Sequence, residues 1–584
     1  MAKGKGRKGE NTKESKPSQT ADLLANRTLT DACVLFLAAF VLMFYFRSAG
    51  LWHTDSVLEA EAAEITFHTG RLHYLMGLGY PGEAVLQTVM FAVFHVLFGM
   101  PNAEFSATFT SILFGALGVG MIYLLAKKIS GSRMVGIYSA AVLCVLPVYL
   151  SLSTYAKNQT PESFFMMTAV YAAILAAEKR AWQHKVLAGL LLGWTMGLRQ
   201  TSGLILPVML LFYWRGSPPV KFVKQKDVVK MRITQKPLEF ILDLAYFIIP
   251  AFAVFVGLFV PQMIYTPGYS LIESIKYFSQ EASTGYGLNP FTPLLAMSFT
   301  WATTSMTYLG WILLAVGVYA MYQGRDSYLT SILMAWFLLF FFVLSNTAMV
   351  SPRFLIPAFI PALMLIGYAL DYISSKVHAY ASYAILLALM YLMFTTILPV
   401  LEYRHAHCGP CEFARKISET VPPDAVVIGM DEGPHYRYYG NITRATYGAP
   451  SNGDDKMLEM IIGVYGQFLA NGTPMYVTTQ GMGYDPSAGL QYNQQTQRIT
   501  YPARNIEYQN LQYDPQKQLL YDTRYGITLP GPPYVGKFWV TVFNKFRVTP
   551  ILQMEDEDWH HSDLELAKYG AILYKIELGA NSTV

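Results

Sequence analysis

Asp55 stands shortly after the exit of the first long apolar run, in the stretch Leu51-Trp52-His53-Thr54-Asp55-Ser56. A carboxylate where a span leaves the bilayer is costly unless something needs it. It heads an acidic, non-spanning segment that carries Glu59, Glu61, Glu64, His68, His73 and then Gly79-Tyr80-Pro81-Gly82. A carboxylate so placed can take a proton from an attacking hydroxyl. Glu59 and Glu64 read as solvated glutamates on a surface helix, and His68 and His73 as interface residues. Glu61 and Tyr80 are expected to touch substrate. Three cations, Lys157, Arg199 and Arg353, lie at the same membrane edge. Long basic side chains there often only snorkel to the headgroups. Cations on this face nonetheless run against the positive-inside trend, and Arg presents a donor fork that suits phosphate. Glu162, after Pro161, either favours a helix N-terminus or lines the site. The set points to an enzyme that works on a lipid-borne substrate at one face of a membrane.

The elements that must position these residues are membrane helices. The chain of 584 residues is 53% hydrophobic and only 14% charged, against the roughly 25% charged residues of soluble domains. Its apolar runs reach the ~20 residues a spanning helix needs. Candidate spans cover 29–47, 105–126, 134–153, 163–178, 185–198, 201–214, 238–261, 295–321, 328–347, 354–371 and 380–401. The run 84–98 is closed by Gly99-Met100-Pro101 and reads as a helix lying in the interface. That assignment puts the basic N-terminus, Lys127-Lys128, Arg133 and the loop Arg215 to Lys236 on the inside. This loop has seven Lys/Arg against one Asp, so it nearly fixes the orientation. The pair 185–198 and 201–214, with Arg199 between, reads as a tight hairpin.

Three regions follow. Residues 1–28 form a disordered basic cytoplasmic tail, 29–401 a transmembrane domain, and 402–584 a soluble extracytoplasmic domain of mixed α/β type. In the last, Ala425 to Ile428 and Phe538 to Val542 have strand composition. Cys408 and Cys411, near His405 and His407, have a redox-type spacing and could also hold zinc. Their external placement favours a local disulfide. Glu555 to His561 reads as a solvated acidic face. No Gly-rich phosphate loop is present, which argues against a soluble nucleotide-sugar substrate.

The order of a first span, Asp55-Ser56, an Ala/Glu-rich helix, His73 and Gly79-Tyr80-Pro81 resembles the membrane glycosyltransferases of the GT-C superfold. The resemblance is strongest to the branch with the protein O-mannosyltransferases and the lipid A aminoarabinose transferases. Tyr155 to Ser163 resembles that family's second external loop, where an acid opens the next span. Gly197-Leu198-Arg199-Gln200-Thr201 with Leu206-Pro207 resembles its short helical hairpin, and Ser351 to Pro357 its Arg-Tyr-Leu-Leu-Pro element. The mannosyltransferases carry Asp-Glu where this chain has Asp55-Ser56.

The resemblance implies a polytopic α-helical fold of about eleven spans, with interfacial helices in the first external loop. It implies transfer of one sugar from a polyprenyl-phosphate carrier to a protein, lipid or glycan acceptor, with inversion, in the cell membrane. Asp55 would be the general base. Glu61, Tyr80, Lys157, Glu162, Arg199 and Arg353 would contact substrate. The chemistry requires no cofactor, although some members of the superfold use a divalent metal. A lipid or glycan transporter is the alternative, but it predicts mid-span charges and repeat symmetry. In this chain the charges gather at one face and no repeat is visible.

Overall fold

The computed structural model describes residues 19–579, apart from 74–79, 217–219, 226–227, 234–236, 266–269, 273–292, 324–326, 346–350, 430–431, 447–454, 479–490, 494–497, 502–505, 515–518, 523–526, 531–541, 543–544, 555–562 and 565–570. In chain order it begins with α1 (Gln19–Tyr45), α2 (Thr54–Thr69), α3 (Pro81–Phe98), α4 (Glu104–Ser130), α5 (Arg133–Val145) and α6 (Pro147–Ser153). Next come α7 (Gln159–Lys179), α8 (Trp182–Leu198), a 3-10 turn at Gln200–Ile205, α9 (Leu206–Tyr213) and the hairpin β1 (Val220–Gln225) and β2 (Val228–Ile233). The membrane part ends with α10 (Pro237–Tyr265), α11 (Pro293–Gln323), α12 (Ser327–Ser345), a 3-10 turn at Pro352–Leu355, α13 (Ile356–Lys376) and α14 (Ala379–Ala406).

This is a multi-pass membrane protein. Nine helices among the described residues are long and apolar enough to cross a bilayer, or ten if α5 and α6 together make one bent span. The expected eleven spans differ from this in three places. The run 84–98 is the body of α3, which is long and apolar enough to span. The run 134–153 is two helices meeting at 65°, because Pro147 has no N–H to continue the helix. The stretches 185–198 and 201–214 fold as the 17-residue α8 and the 8-residue α9, joined through Arg199.

Close packing holds the bundle. A methyl group on Gly189 or Gly193 would collide with the backbone of α10 at Phe247 or Ala251. Small residues let helices approach this closely inside a membrane, where no hydrophobic drive brings them together. At one end of the bundle Arg133 grips Asp31 through Nε (2.6 Å) and Nη2 (2.8 Å). Lys128 pairs with Glu178 there at 2.7 Å and Lys185 with Asp243 at 2.5 Å. Asp55 lies at the other end, past the C-terminus of α1.

The C-terminal domain contains α15 (Gly409–Thr420), β3 (Val426–Ile428), α16 (Gly433–Tyr438), β4 (Arg444–Thr446), α17 (Asp455–Ala470), β5 (Met475–Thr478), β6 (Gln491–Asn493), β7 (Arg498–Tyr501), β8 (Ile506–Asp514), β9 (Leu519–Asp522), β10 (Ile527–Pro530), β11 (Phe546–Met554) and β12 (Ala571–Leu578). One sheet is mixed, in the order β11-β12-β5-β3-β4, with β3 parallel to both neighbours. The other is an antiparallel meander, β6 to β10. The expected strand at 425–428 is β3. Of the stretch 538–542, residues 538–541 lie outside the described residues, as do Gly79 and 555–561.

Candidate active site

The strap between α1 and α2 is pinned from above before it delivers Asp55. The Ala49 amide donates to the Arg404 carbonyl at 2.8 Å. The Leu51 amide donates to Tyr439 Oη at 3.0 Å, and Trp52 Nε1 to the His407 carbonyl at 3.0 Å. Helix α2 then starts at Thr54. Its alanines favour a helix, and Gly70 ends it in the left-handed region at φ 65°. Asp55 therefore lies in the first helical turn, where the helix dipole favours a negative charge.

Three groups meet the Asp55 carboxylate. Lys157 Nζ donates to Oδ2 at 2.6 Å. Arg353 Nη2 lies 3.6 Å from the same oxygen and His53 Nδ1 3.3 Å from it. Burial alone would raise the Asp55 pKa, but His53, Lys157 and Arg353 outweigh it and hold the carboxyl well below the usual range. Asp55 keeps 23% of its side chain exposed while Lys157 keeps 1%. The carboxylate can thus be reached from outside and its partner cannot. Arg353 Nη1 stands 3.1 Å from His53 Nε2. His53 also caps α2, its Nδ1 accepting from the Asp55 amide at 3.1 Å. Burial, followed by the Lys157 and Arg353 charges, keeps His53 well below its ordinary pKa range.

The loop bearing Lys157 is tied on three sides. Ser111 Oγ exchanges hydrogen bonds with the Lys157 carbonyl (2.9 Å) and amide (2.8 Å). The buried Ser56 hydroxyl donates to the Ala156 carbonyl. Asn158 Nδ2 donates to the Leu198 carbonyl at 3.0 Å. Ser56 thus has a packing role that a glutamate at this position could not fill.

A second charge pair lies beside the first. Glu162, buried at the start of α7, accepts from Ser202 Oγ at 2.5 Å, and its Oε2 is 3.7 Å from Arg199 Nη1. Arg199 and Arg353 flank the Phe354 ring, with guanidinium carbons 4.0 and 5.6 Å from its centre. Among the described residues the buried Arg353 Nε has no hydrogen-bond partner, so it retains a donor for an anion. Tyr80, the residue before Pro81 and α3, faces the same charges. Burial raises its phenol pKa, with Arg199 and Arg353 opposing and Asp55 adding.

Four expectations change at the site. Glu61 does not join the cluster. Six residues after Asp55, it points about 240° round the helix and pairs with Arg437 of α16 at 3.0 Å. An ion pair this exposed stabilises by about 1 kcal/mol or less. Glu61→Gln should then leave turnover per folded molecule within roughly two-fold of wild type; a far larger loss in a steady-state assay would return Glu61 to the site. Glu59 is not solvated. One turn after Asp55, it is 7% exposed, and burial followed by the charge of Glu83 on α3 pushes its pKa well above the usual carboxylate range. Glu64 is a staple, accepting from the Ala103 amide at 2.6 Å and Tyr438 Oη at 2.7 Å. Lys157 is paired with Asp55 rather than standing free.

His53, Glu83, Tyr155 and Asp563 were not singled out from the sequence. His53 was legible in its place two residues before Asp55. Asp563 lies more than 400 residues away in the chain, and nothing local marks it.

Cys408 and Cys411 form a disulfide at the start of α15. It packs on Gly50, where a methyl group would meet Cys411 Sγ at 2.7 Å and Cys408 Sγ at 3.0 Å. Serine at both positions should lower the melting temperature, because the strap loses its seat. Turnover per folded molecule should stay near wild type, and loss of activity with unchanged melting would reveal a redox or metal role. Among the described residues no three His, Cys, Asp or Glu side chains gather as a metal site would need.

Residues 83–227 match the family model described as dolichyl-phosphate-mannose-protein mannosyltransferase. Structures of ArnT from Cupriavidus metallidurans, one bound to undecaprenyl phosphate and one in the apo state, superpose with a TM-score of 0.53 each. They are 15% and 16% identical to this chain, covering 79% and 77% of it and 93% of the ArnT chain in both cases. The chain has the GT-C fold. Undecaprenyl phosphate-alpha-4-amino-4-deoxy-L-arabinose arabinosyl transferases are similar in sequence. The one from Wigglesworthia glossinidia brevipalpis is 24% identical over 188 residues, 30% of this chain and 33% of that protein. The one from Yersinia pestis (strain Pestoides F) is 25% identical over 177 residues, 30% and 32%. The chain thus matches about a third of the length of these relatives. Within the GT-C fold, the match to the mannosyltransferase model starts at Glu83 and takes in Lys157, Glu162 and Arg199 but not Asp55 or Arg353.

Proposed function

We propose that this protein transfers a single sugar from a polyprenyl-phosphate carrier to a hydroxyl acceptor at the outer face of a cell membrane. The reading rests above all on one observation: a reachable, ionised Asp55 held between Lys157 and Arg353 at the end of a membrane bundle. The similarity to polyprenyl-phosphate-dependent transferases supports it.

In the proposed reaction the acceptor oxygen attacks the anomeric carbon in line with the phosphate. The carbon–oxygen bond to phosphate breaks, the polyprenyl phosphate departs with the electron pair, and Asp55 receives the acceptor proton. The anomeric centre inverts. Charge on the phosphate grows as it leaves, so preorganised donors stabilise the transition state more than the ground state. Arg353 and Arg199 supply those donors, with Phe354 spacing them. A base held so far below its normal pKa is weak at first. Phosphate binding draws Arg353, and in part Lys157, away from Asp55. The carboxylate then gains proton affinity at the moment it is needed. The chemistry requires no metal, and a divalent ion is compatible with it. The acceptor, whether lipid, glycan or protein, enters on the exposed side of Asp55.

Purified full-length protein should be offered a panel of radiolabelled polyprenyl-phosphate sugars with lipid and peptide acceptors. Transfer from at least one donor is the expected result. Failure with every donor, by protein shown to be folded, would overturn the reading.

A further inference from the structure

Asp563 belongs to the C-terminal domain, between β11 and β12, yet it is only 5% exposed and lies against the loops of the membrane domain. Each of its carboxylate oxygens takes a hydroxyl from a different loop. Tyr155 Oη donates to Oδ1 at 2.5 Å and Ser351 Oγ donates to Oδ2 at 3.4 Å. Its own carbonyl accepts from Ser151 Oγ at 2.6 Å. Tyr155 stands two residues before Lys157, and Ser351 two residues before Arg353. The two cations that meet at Asp55 therefore come from loops fastened to one carboxylate.

Arg404 of α14 braces the arrangement. Its guanidinium carbon lies 4.6 Å from the centre of the Tyr155 ring, and its Nη2 donates to Ser151 Oγ at 2.6 Å. The choice of residue is also explained. An ionised carboxylate offers two oxygens that only accept, one for each hydroxyl. An asparagine offers one acceptor and an NH2 group that finds no acceptor among those hydroxyls without reorienting them. Arg353, Lys157 and His53 all lie near enough to favour the charged form.

We infer that Asp563 is a positioning residue through which the C-terminal domain sets the separation of Lys157 and Arg353 across Asp55. The inference rests on the glycosyltransferase reading for its catalytic meaning. Asp563 touches neither the reacting carbon nor the phosphate; it acts through Tyr155 and Ser351. It gives the soluble domain a defined task in the reaction: an undocked domain leaves the two cation-bearing loops unclasped.

The test uses full-length protein in lipid nanodiscs. With a donor found active in the panel, Asp563→Asn should lower kcat/KM by roughly ten-fold, the scale of losing a charge-assisted hydrogen bond. Tyr155→Phe should do likewise, and the double variant should be little worse than either alone, because both break one link. Independently of activity, amide hydrogen exchange in Asp563→Asn should speed up at 154–158 and 351–355 and stay unchanged at the Asp31–Arg133 end. A residue that merely supports folding would not confine its effect to those two loops. If Asp563→Asn does not fold, Ser351→Ala removes only the 3.4 Å bond and carries the same exchange test. Unchanged exchange at both loops, or strictly additive losses in the double variant, would overturn the inference. If the wild type uses no polyprenyl-phosphate donor, the functional reading falls, while the exchange comparison still decides whether Asp563 clasps the loops.

Discussion

Asp55→Asn is expected to lower turnover at saturating donor by about 10²–10⁴-fold, the contribution of a positioned general base. Asparagine keeps the size of the side chain and can still accept from Lys157, which donates to the wild-type carboxylate at 2.6 Å. It cannot take up the acceptor proton. Donor affinity should hold or improve, because Lys157 and Arg353 lose their anionic neighbour and turn to the phosphate. The pH profile carries a signed corollary. In the free enzyme the neighbouring cations depress the Asp55 pKa, so its carboxylate stays ionised as pH falls through the ordinary carboxylate range. The acid limb of kcat/KM, which reports the free enzyme, should lie below that range. With donor bound the cations are shared with the phosphate, so the acid limb of kcat should lie at higher pH. An acid limb of kcat/KM near the ordinary carboxylate value, absent in Asp55→Asn, would contradict the assigned charge environment.

Arg353→Ala is expected to raise the donor KM by roughly 10- to 100-fold, since hydrogen bonds to charged groups contribute about 1.5–3 kcal/mol. Three features motivate it. Among the described residues its buried Nε has no hydrogen-bond partner, it reaches the Asp55 carboxylate at 3.6 Å, and its Nη1 lies 3.1 Å from His53 Nε2. Arg353→Lys should recover only part of the loss, because an ammonium lacks the fork. Lys157 still neutralises Asp55 in these variants, so folding should survive. Donor titrations on both variants check the prediction, and an unchanged KM in Arg353→Ala would remove Arg353 from the phosphate site.

The central residues of the site could be read from the chain because each carries a local physical anomaly. Asp55 is an acid at a span exit, and Lys157, Arg199 and Arg353 are cations at the ends of spans away from the main basic loops. The structure brings Lys157 and Arg353 to Asp55, and pairs Arg199 with Glu162 beside them. Acid content alone does not register helical phase. Glu59 shares the Asp55 face and is buried; Glu61 does not and meets Arg437. Apolar content alone does not register the break at Pro147 or the shortness of α8 and α9, so the described helices offer nine or ten candidate spans beside the expected eleven. Asp563 could not be found in this way, since its partners Tyr155 and Ser351 are over 200 residues distant in the chain. Only the docking of the C-terminal domain brings it there.

The most direct test of the central claim is the stereochemical outcome. Purified wild-type protein, supplied with its active donor labelled with 13C at the anomeric carbon, should be followed by NMR to the end of the reaction. In-line attack by a hydroxyl whose proton passes to Asp55 predicts one polyprenyl phosphate freed per sugar transferred and a product of inverted anomeric configuration. A product of retained configuration would require a covalent sugar–enzyme intermediate and would contradict the role of Asp55 as general base.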